Sequence, residues 1–204
     1  MVATVLTGGC SMLSAIVSAQ NSETSLVRTL AALVPAAAAG LLAEVVIADG
    51  GSSDATAEVA EIAGCRFTSS TEALGIRLKA AAATVRSPWL LFLRAGAVPQ
   101  PGWIDAADHF MQTSGLMEGS GQAGIFRLSG AAKTVRPGLA ELVSVVRAAI
   151  AGGPRPEQGL LIARRLYNTI GGHSAGGDAE IAILRRLGRR RLAMLPAAIT
   201  ATDT

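Results

Sequence analysis

The stretch Glu44-Val-Val-Ile-Ala-Asp-Gly-Gly-Ser-Ser-Asp-Ala-Thr56 decides the fold, because it joins a buried strand to a polar turn and then to a helix. Glu44 to Ala48 is a short apolar run rich in β-branched residues, the pattern of a parallel strand covered on both faces. Asp49 ends it. Gly50 and Gly51 permit a tight turn, and Ser52, Ser53 and Asp54 each offer a side-chain oxygen to the free N–H groups of a helix expected to run to Ala63. A strand that ends in this way opens a crevice beyond its carboxyl edge, the usual ligand position in open α/β sheets.

On the N-terminal side, Leu13 to Ala19 reads as a first strand. Asn21 or Ser22 then caps a helix whose Leu26, Leu30, Leu33 and Val34 share one face. An alanine-rich connection leads to the central strand. In the helix beyond the glycine turn, Ala55, Val59 and Ile62 form the stripe and Gly64 ends it. Cys65 to Thr68 is a third short strand. Leu74 to Val85 is a helix striped by Leu78, Ala82 and Val85, with Arg77 and Lys79 off that face, and Trp89 to Leu93 is a continuous apolar strand. Strands alternating with helices of this length predict βαβ units, hence an α/β domain with a mostly parallel central sheet flanked by helices. Farther on, the pattern predicts a helix over Trp103 to Met111, a glycine-rich loop over Gly115 to Gly124 and a strand over Ala123 to Leu128. Leu139 to Ile150 reads as a helix that is either core or interfacial on a membrane, and Gly152 to Pro156 as a loop.

The 204 residues suffice for one domain, expected over residues 12–204, with Met1 to Ser11 a loose tail or an overlong start. Half the residues are hydrophobic but only 3% aromatic, and the abundant alanine favours tightly packed helices. A net charge of +3 and a pI near 9.4 suit an anionic substrate, a membrane surface or nucleic acid without choosing among them. Cys10 and Cys65 are too few for a disulfide framework or a zinc site, so a reducing cytoplasm is the expected compartment. No Lys or Arg precedes Arg28, so a secretory signal lacks its basic start. Pro35, Gly40 and Glu44 interrupt the nearest approach to a membrane span, Leu30 to Ala48.

Asp49-Gly-Gly-Ser-Ser-Asp-Ala-Thr56 resembles the Asp-Gly-Gly-Ser-Ser-Asp-Gly-Thr signature of family 2 glycosyltransferases, which have the GT-A fold. Met12 to Asn21 is similar to that family's first strand and turn. Trp89 to Trp103 is similar to its Leu-Leu-Phe-Leu-His-Ala-Asp-Thr…Pro-Gly-Trp segment, and Glu157 to Gly172 to its Asp-Gln-Gly…Gly-Gly segment on the acceptor side. Asp178 to Gly188 resembles its Glu-Asp helix, although Gly177 stands where a Glu is usual. The likeness covers about Met12 to Leu195.

What the resemblance implies is transfer of a sugar from a nucleotide-sugar donor to a lipid-linked or saccharide acceptor, in envelope or polysaccharide synthesis. Ser18, Gln20 and Asp49 would line the nucleoside pocket, although Gly50 replaces the second Asp that reads the base in many relatives. Asp178 would be the catalytic base, with Glu180 as a neighbour. Relatives hold Mg²⁺ or Mn²⁺ against the diphosphate with an Asp that this chain lacks: it reads Phe92-Leu93-Arg94-Ala95-Gly96, and neither Arg94 nor Gly96 ligates a metal. Two readings stay open. In one, Arg94, helped by Arg77 and Lys79, supplies fixed positive charge to the diphosphate. In the other, the protein is an inactive nucleotide-sugar-binding or scaffold relative. His109 and His173 have no partner at metal spacing, no Gly-x-Ser-x-Gly elbow supports a hydrolase, and no Gly-Lys-Ser/Thr makes Gly50-Gly51 a P-loop. The basic run Arg185, Arg186, Arg189, Arg190 and Arg191 is a solvated helix face or a peripheral contact with the inner membrane face. Nucleic acid is not expected, since no aromatic residues interleave with that run.

Overall fold

A computed structural model describes residues 13–116, 121–129 and 154–201. The expected tail and the predicted helix over Leu139 to Ile150 lie outside these residues. Strand β1 (Leu13–Ala19) leads into helix α1 (Glu23–Ala38), then β2 (Leu42–Asp49), α2 (Thr56–Ile62), β3 (Arg66–Ser69), α3 (Leu74–Thr84) and β4 (Trp89–Arg94). After these come β5 (Ala97–Pro99), α4 (Trp103–Leu116), β6 (Ala123–Ser129), a 3-10 turn (Pro156–Gln158), β7 (Leu160–Ala163), α5 (Arg164–Thr169), α6 (Ala179–Arg191) and β8 (Leu192–Ala201).

All eight strands join one sheet in the order β3-β2-β1-β4-β7-β6-β8-β5. The first four are parallel, β8 runs parallel to β6, and β7 and β5 introduce antiparallel pairs. Alternation along β1 splits the core. Leu13, Ala15, Val17 and Ala19 face α1 and α4, where Leu26, Leu30, Leu33, Trp103 and Phe110 are buried. Ile16 faces α3 and α6, with Leu78, Ala82, Ile183 and Leu187. Ser14, fully buried among these residues, shares a 2.7 Å bond with the Ser87 hydroxyl and so does not sit unpaired in the core.

Two predicted stripes shift. Val34 and Ile62 are 61% and 79% exposed, while Leu33, Ala36 and Ala60 take the inward positions. The alanine-rich connection after Val34 is itself helical to Ala38, in keeping with the helix preference of alanine. Similarly, α4 continues to Leu116, into the predicted glycine loop. The strands β5, β7 and β8 were not expected. In β8 the register against β6 jumps from Met194 opposite Ile125 to Ala198 opposite Arg127, so Pro196 falls in a bulge where its missing N–H breaks no ladder bond.

The two halves of the domain meet by backbone contact at Gly75. A Cβ there would lie 1.7 Å from the Ser174 carbonyl oxygen and 2.7 Å from Ala179 Cβ. Gly75→Ala is therefore expected to destabilise the fold by about 2 kcal/mol, lowering Tm by ~4–8 °C, whereas Gly176→Ala, with open space around it, stays near wild type. Thermal unfolding of the two variants checks this.

Candidate functional site

Register places the carboxyl ends of three parallel strands level. Ser18 on β1 lies opposite both Ala48 on β2 and Arg94 on β4, and Ala19 lies opposite Asp49. The glycine turn beyond β2 is tied down from several directions. Asp49, 1% exposed, accepts bonds from the Gly51 and Ser52 N–H groups at 2.9 Å and from the Ser69 hydroxyl at 2.7 Å, and the Ser52 hydroxyl also donates to it. Burial alone would raise the Asp49 pKa, but the bonds from Ser52, Ser69 and Gly51 outweigh it and hold the carboxyl below its ordinary value.

The serines do not cap α2 as expected. Ser52 Oγ accepts the Asn21 N–H and Asn21 Oδ1 accepts the Ser53 N–H, while Asp54 accepts N–H bonds from both Thr56 and Glu23. Glu23 Oε2 accepts the Ala55 N–H in return. The starts of α1 and α2 thus cap each other, and the signature turn braces the tip of β1.

Arg77 reaches across both strand ends, donating to the Ala48 carbonyl at 2.9 Å and the Ala19 carbonyl at 3.5 Å. A Cβ on Gly50 would come within 3.0 Å of Arg77 Nη1 and of Gln20. The space beside Gly50 is thus shared by the ends of the Arg77 and Gln20 side chains. Gln20 is exposed and Ser18 half-exposed at the same edge. Lys79 is not brought there. Two residues along α3 from Arg77, it faces an open groove shared with Ile76, Ala80, Gly171 and Arg186.

At the tip of β4 the chain turns through Gly96, whose φ of 93° favours glycine and whose N–H donates to the Thr29 hydroxyl at 2.9 Å. Arg94 stands beside it, gripped by two carboxylates that the sequence did not single out as its partners. Its Nε donates to Glu180 Oε2 at 2.8 Å, its Nη2 donates to the same oxygen, and its Nη1 lies 3.3 Å from Glu157 Oε1. The Glu180 bond leads over burial in setting the Arg94 pKa, which rises, so the guanidinium stays charged. Gly159 lets the 3-10 turn press against β4, since a Cβ there would meet Leu93 at 2.9 Å and Ile199 at 3.0 Å. Gln158 holds the turn by donating to the Phe126 carbonyl at 2.9 Å and accepting the Arg155 N–H at 2.7 Å. Asp178, the residue expected to be the base, sits exposed at the head of α6 with no side-chain bond to the helix, and Glu180 is the carboxylate that reaches β4.

A divalent ion does not fit these side chains. The two carboxylates at the β4 tip already share a guanidinium, and the described residues include no group of three His, Cys, Asp or Glu able to hold a metal. Behind the ion pair lies a narrow hollow, large enough only for water, lined by Phe92, Gly159, Leu160, His173, Glu180 and Ile183. His173 is buried edge-on to Phe92, with ring centroids 4.7 Å apart. The Tyr167 hydroxyl accepts the His173 backbone N–H at 3.2 Å and lies 3.0 Å from Nδ1, to which it can donate. Burial, reinforced by Arg186, pushes the His173 pKa down to about 4. Within the basic run, Arg186 donates to the Ile170 and Gly172 carbonyls, so it ties down a turn as well as facing solvent.

Residues 14–114 match the sequence profile of glycosyl transferase family 2. That stretch belongs to this family. The chain's fold is that of GT-A glycosyltransferases: glucosyl-3-phosphoglycerate synthase from Mycobacterium tuberculosis, in complex with phosphoglyceric acid, superposes with a TM-score of 0.68 at 19% identity over 95% of this chain and 73% of that one. The same enzyme with Mg²⁺ and UDP gives 0.68 at 20% identity over 95% and 72%. A mycobacterial protein gives 0.65 at 18% identity over 95% and 68%. No curated protein sequence matches the chain. Among the described residues, no helix is long and apolar enough to cross a membrane.

Two outcomes follow for the site's stability. Asp49→Asn removes the charge from a cluster of donors and should cost about 2 kcal/mol near neutral pH, read by urea unfolding. His173 has a folded pKa of about 4 against an ordinary value of 6.5, so its contribution to stability is complete above 6.5 and is lost as pH falls between the two. Urea unfolding should show a loss of about 2 kcal/mol between roughly pH 7 and pH 5 that is absent from His173→Gln.

Proposed function

We propose that the protein is a glycosyltransferase that binds a nucleotide-diphosphate sugar across the tips of β1, β2 and β4, with Arg94 as fixed cation at the diphosphate. One observation supports this reading above others: Arg94 lies level with Ser18 at the edge of the crevice, and its side chain stays 42% exposed despite its two carboxylate partners. Ser18, Gln20 and Arg77 line the nucleoside end, and Asp49 shapes it by holding the turn. As the bond from the anomeric carbon to the diphosphate breaks, the leaving group keeps the electron pair and Arg94 meets the charge it gains. The acceptor oxygen bonds to the anomeric carbon and its proton passes to Asp178, the unpaired carboxylate at the head of α6. The acceptor is a saccharide or a lipid-linked sugar of the cell envelope, and the exposed Arg185, Arg189, Arg190 and Arg191 suit a peripheral contact with an anionic inner membrane face. UDP-glucose and phosphoglyceric acid, found with the Mycobacterium tuberculosis enzyme, are the first donor and acceptor to try.

A second reading, an inactive binding or scaffold protein, draws on the same ion pair, because two carboxylates neutralise the one cation offered to the leaving group. A screen of UDP- and GDP-sugars with EDTA or with Mn²⁺ separates the two. Turnover insensitive to EDTA is the expected result, metal-dependent turnover overturns the role of Arg94, and binding without turnover favours the scaffold. In the active case Arg94→Ala should lower turnover by about 100-fold or more while leaving affinity for the bare nucleoside within ~3-fold.

A further inference from the structure

The grip on Arg94 is lopsided. Glu180 rises from α6, its side chain is only 13% exposed, and it holds both Nε and Nη2 through one oxygen. Glu157 rides on the 3-10 turn, is 38% exposed, and makes a single 3.3 Å contact to Nη1. The first contact fixes the plane of the guanidinium, as charge-assisted bonding to two adjacent N–H groups does. The second is of the exposed, single-bond kind that contributes little. Together the three side chains carry a formal charge of −1, so an anion approaching β4 meets repulsion unless a carboxylate gives way.

We infer that Glu180 is a positioning residue that aims Arg94, and that Glu157 is an internal stand-in for the donor's diphosphate, released from Nη1 when a nucleoside diphosphate binds. This rests on the reading of Arg94 as the diphosphate cation. Glu157 is the more exposed of the two carboxylates, and its turn is anchored through Gln158 rather than through Glu157, so its side chain can swing away without unfolding the turn. Removing a negative charge at these two positions should therefore act in opposite directions, which a general electrostatic or structural role would not produce.

Calorimetric titration of the full chain with UDP and GDP in EDTA, with uridine and guanosine as uncharged controls, tests it. Glu157→Gln should tighten diphosphate binding by about 3- to 5-fold. Glu180→Gln should weaken it by about 10-fold, with the bare nucleosides unaffected in both. Glu180→Asp, which keeps the charge but withdraws it by one methylene, should also weaken binding and serves if Glu180→Gln does not fold. Tightening in both charge-removed variants, or no change in either, overturns the exchange while leaving the donor reading intact. Binding by wild type only when Mn²⁺ is added overturns the exchange and the arginine role together. No binding of either nucleoside diphosphate, with or without metal, sinks the donor reading itself and the exchange with it.

Discussion

The Asp49 carboxylate, gathering N–H and O–H donors from Gly51, Ser52 and Ser69, is the contact on which the strand-tip geometry rests. A buried charge is tolerable only when donors surround it, and here the donors come from the glycine turn and from β3. The turn is fixed by that carboxylate and then passes its order to β1 through Asn21 and to the starts of α1 and α2 through Glu23 and Asp54. The strand tips are thereby tied together by hydrogen bonds that need no ligand. Arg77 completes it by closing over the carbonyls of Ala19 and Ala48.

At β4 a different constraint governs. A guanidinium at a strand tip must find acceptors, and Glu157 and Glu180 supply them from elements far along the chain. With both carboxylates turned toward the guanidinium, this tip offers a positive charge where a hard divalent ion would need oxygen ligands.

Much of the first half was legible because its signals are local. The apolar run before Asp49, the paired glycines and the stripe of Leu78, Ala82 and Val85 each state a strand, a turn or a helix within a few residues, and the structure has them. Val34 and Ile62 misled because a valine next to Leu33 and an isoleucine near a helix end fit a stripe by period while packing selects their neighbours. Strands β7 and β8 escaped notice for separate reasons. Leu160 to Ala163 is too short to show a period, and Ala197 and Ala198 give β8 little hydrophobic contrast around Pro196. At the site, Ser18, Gln20, Asp49, Arg77 and Arg94 do gather at neighbouring strand tips. Lys79 does not, because two residues on a helix turn a side chain to the opposite side. The partners of Arg94 were the main omission. An arginine in place of an acidic residue asks for carboxylates nearby, but only the fold could say that Glu157 and Glu180 were near.

The bulge around Pro196 has an effect beyond its own strand. The register of β8 shifts at Phe126, and the carbonyl of that residue accepts a bond from Gln158, which sits next to Glu157. The bulged stretch of sheet thus carries the anchor of the turn that bears Glu157. The last strand works as a distant strut, touching the tip of the fourth through its neighbour's backbone.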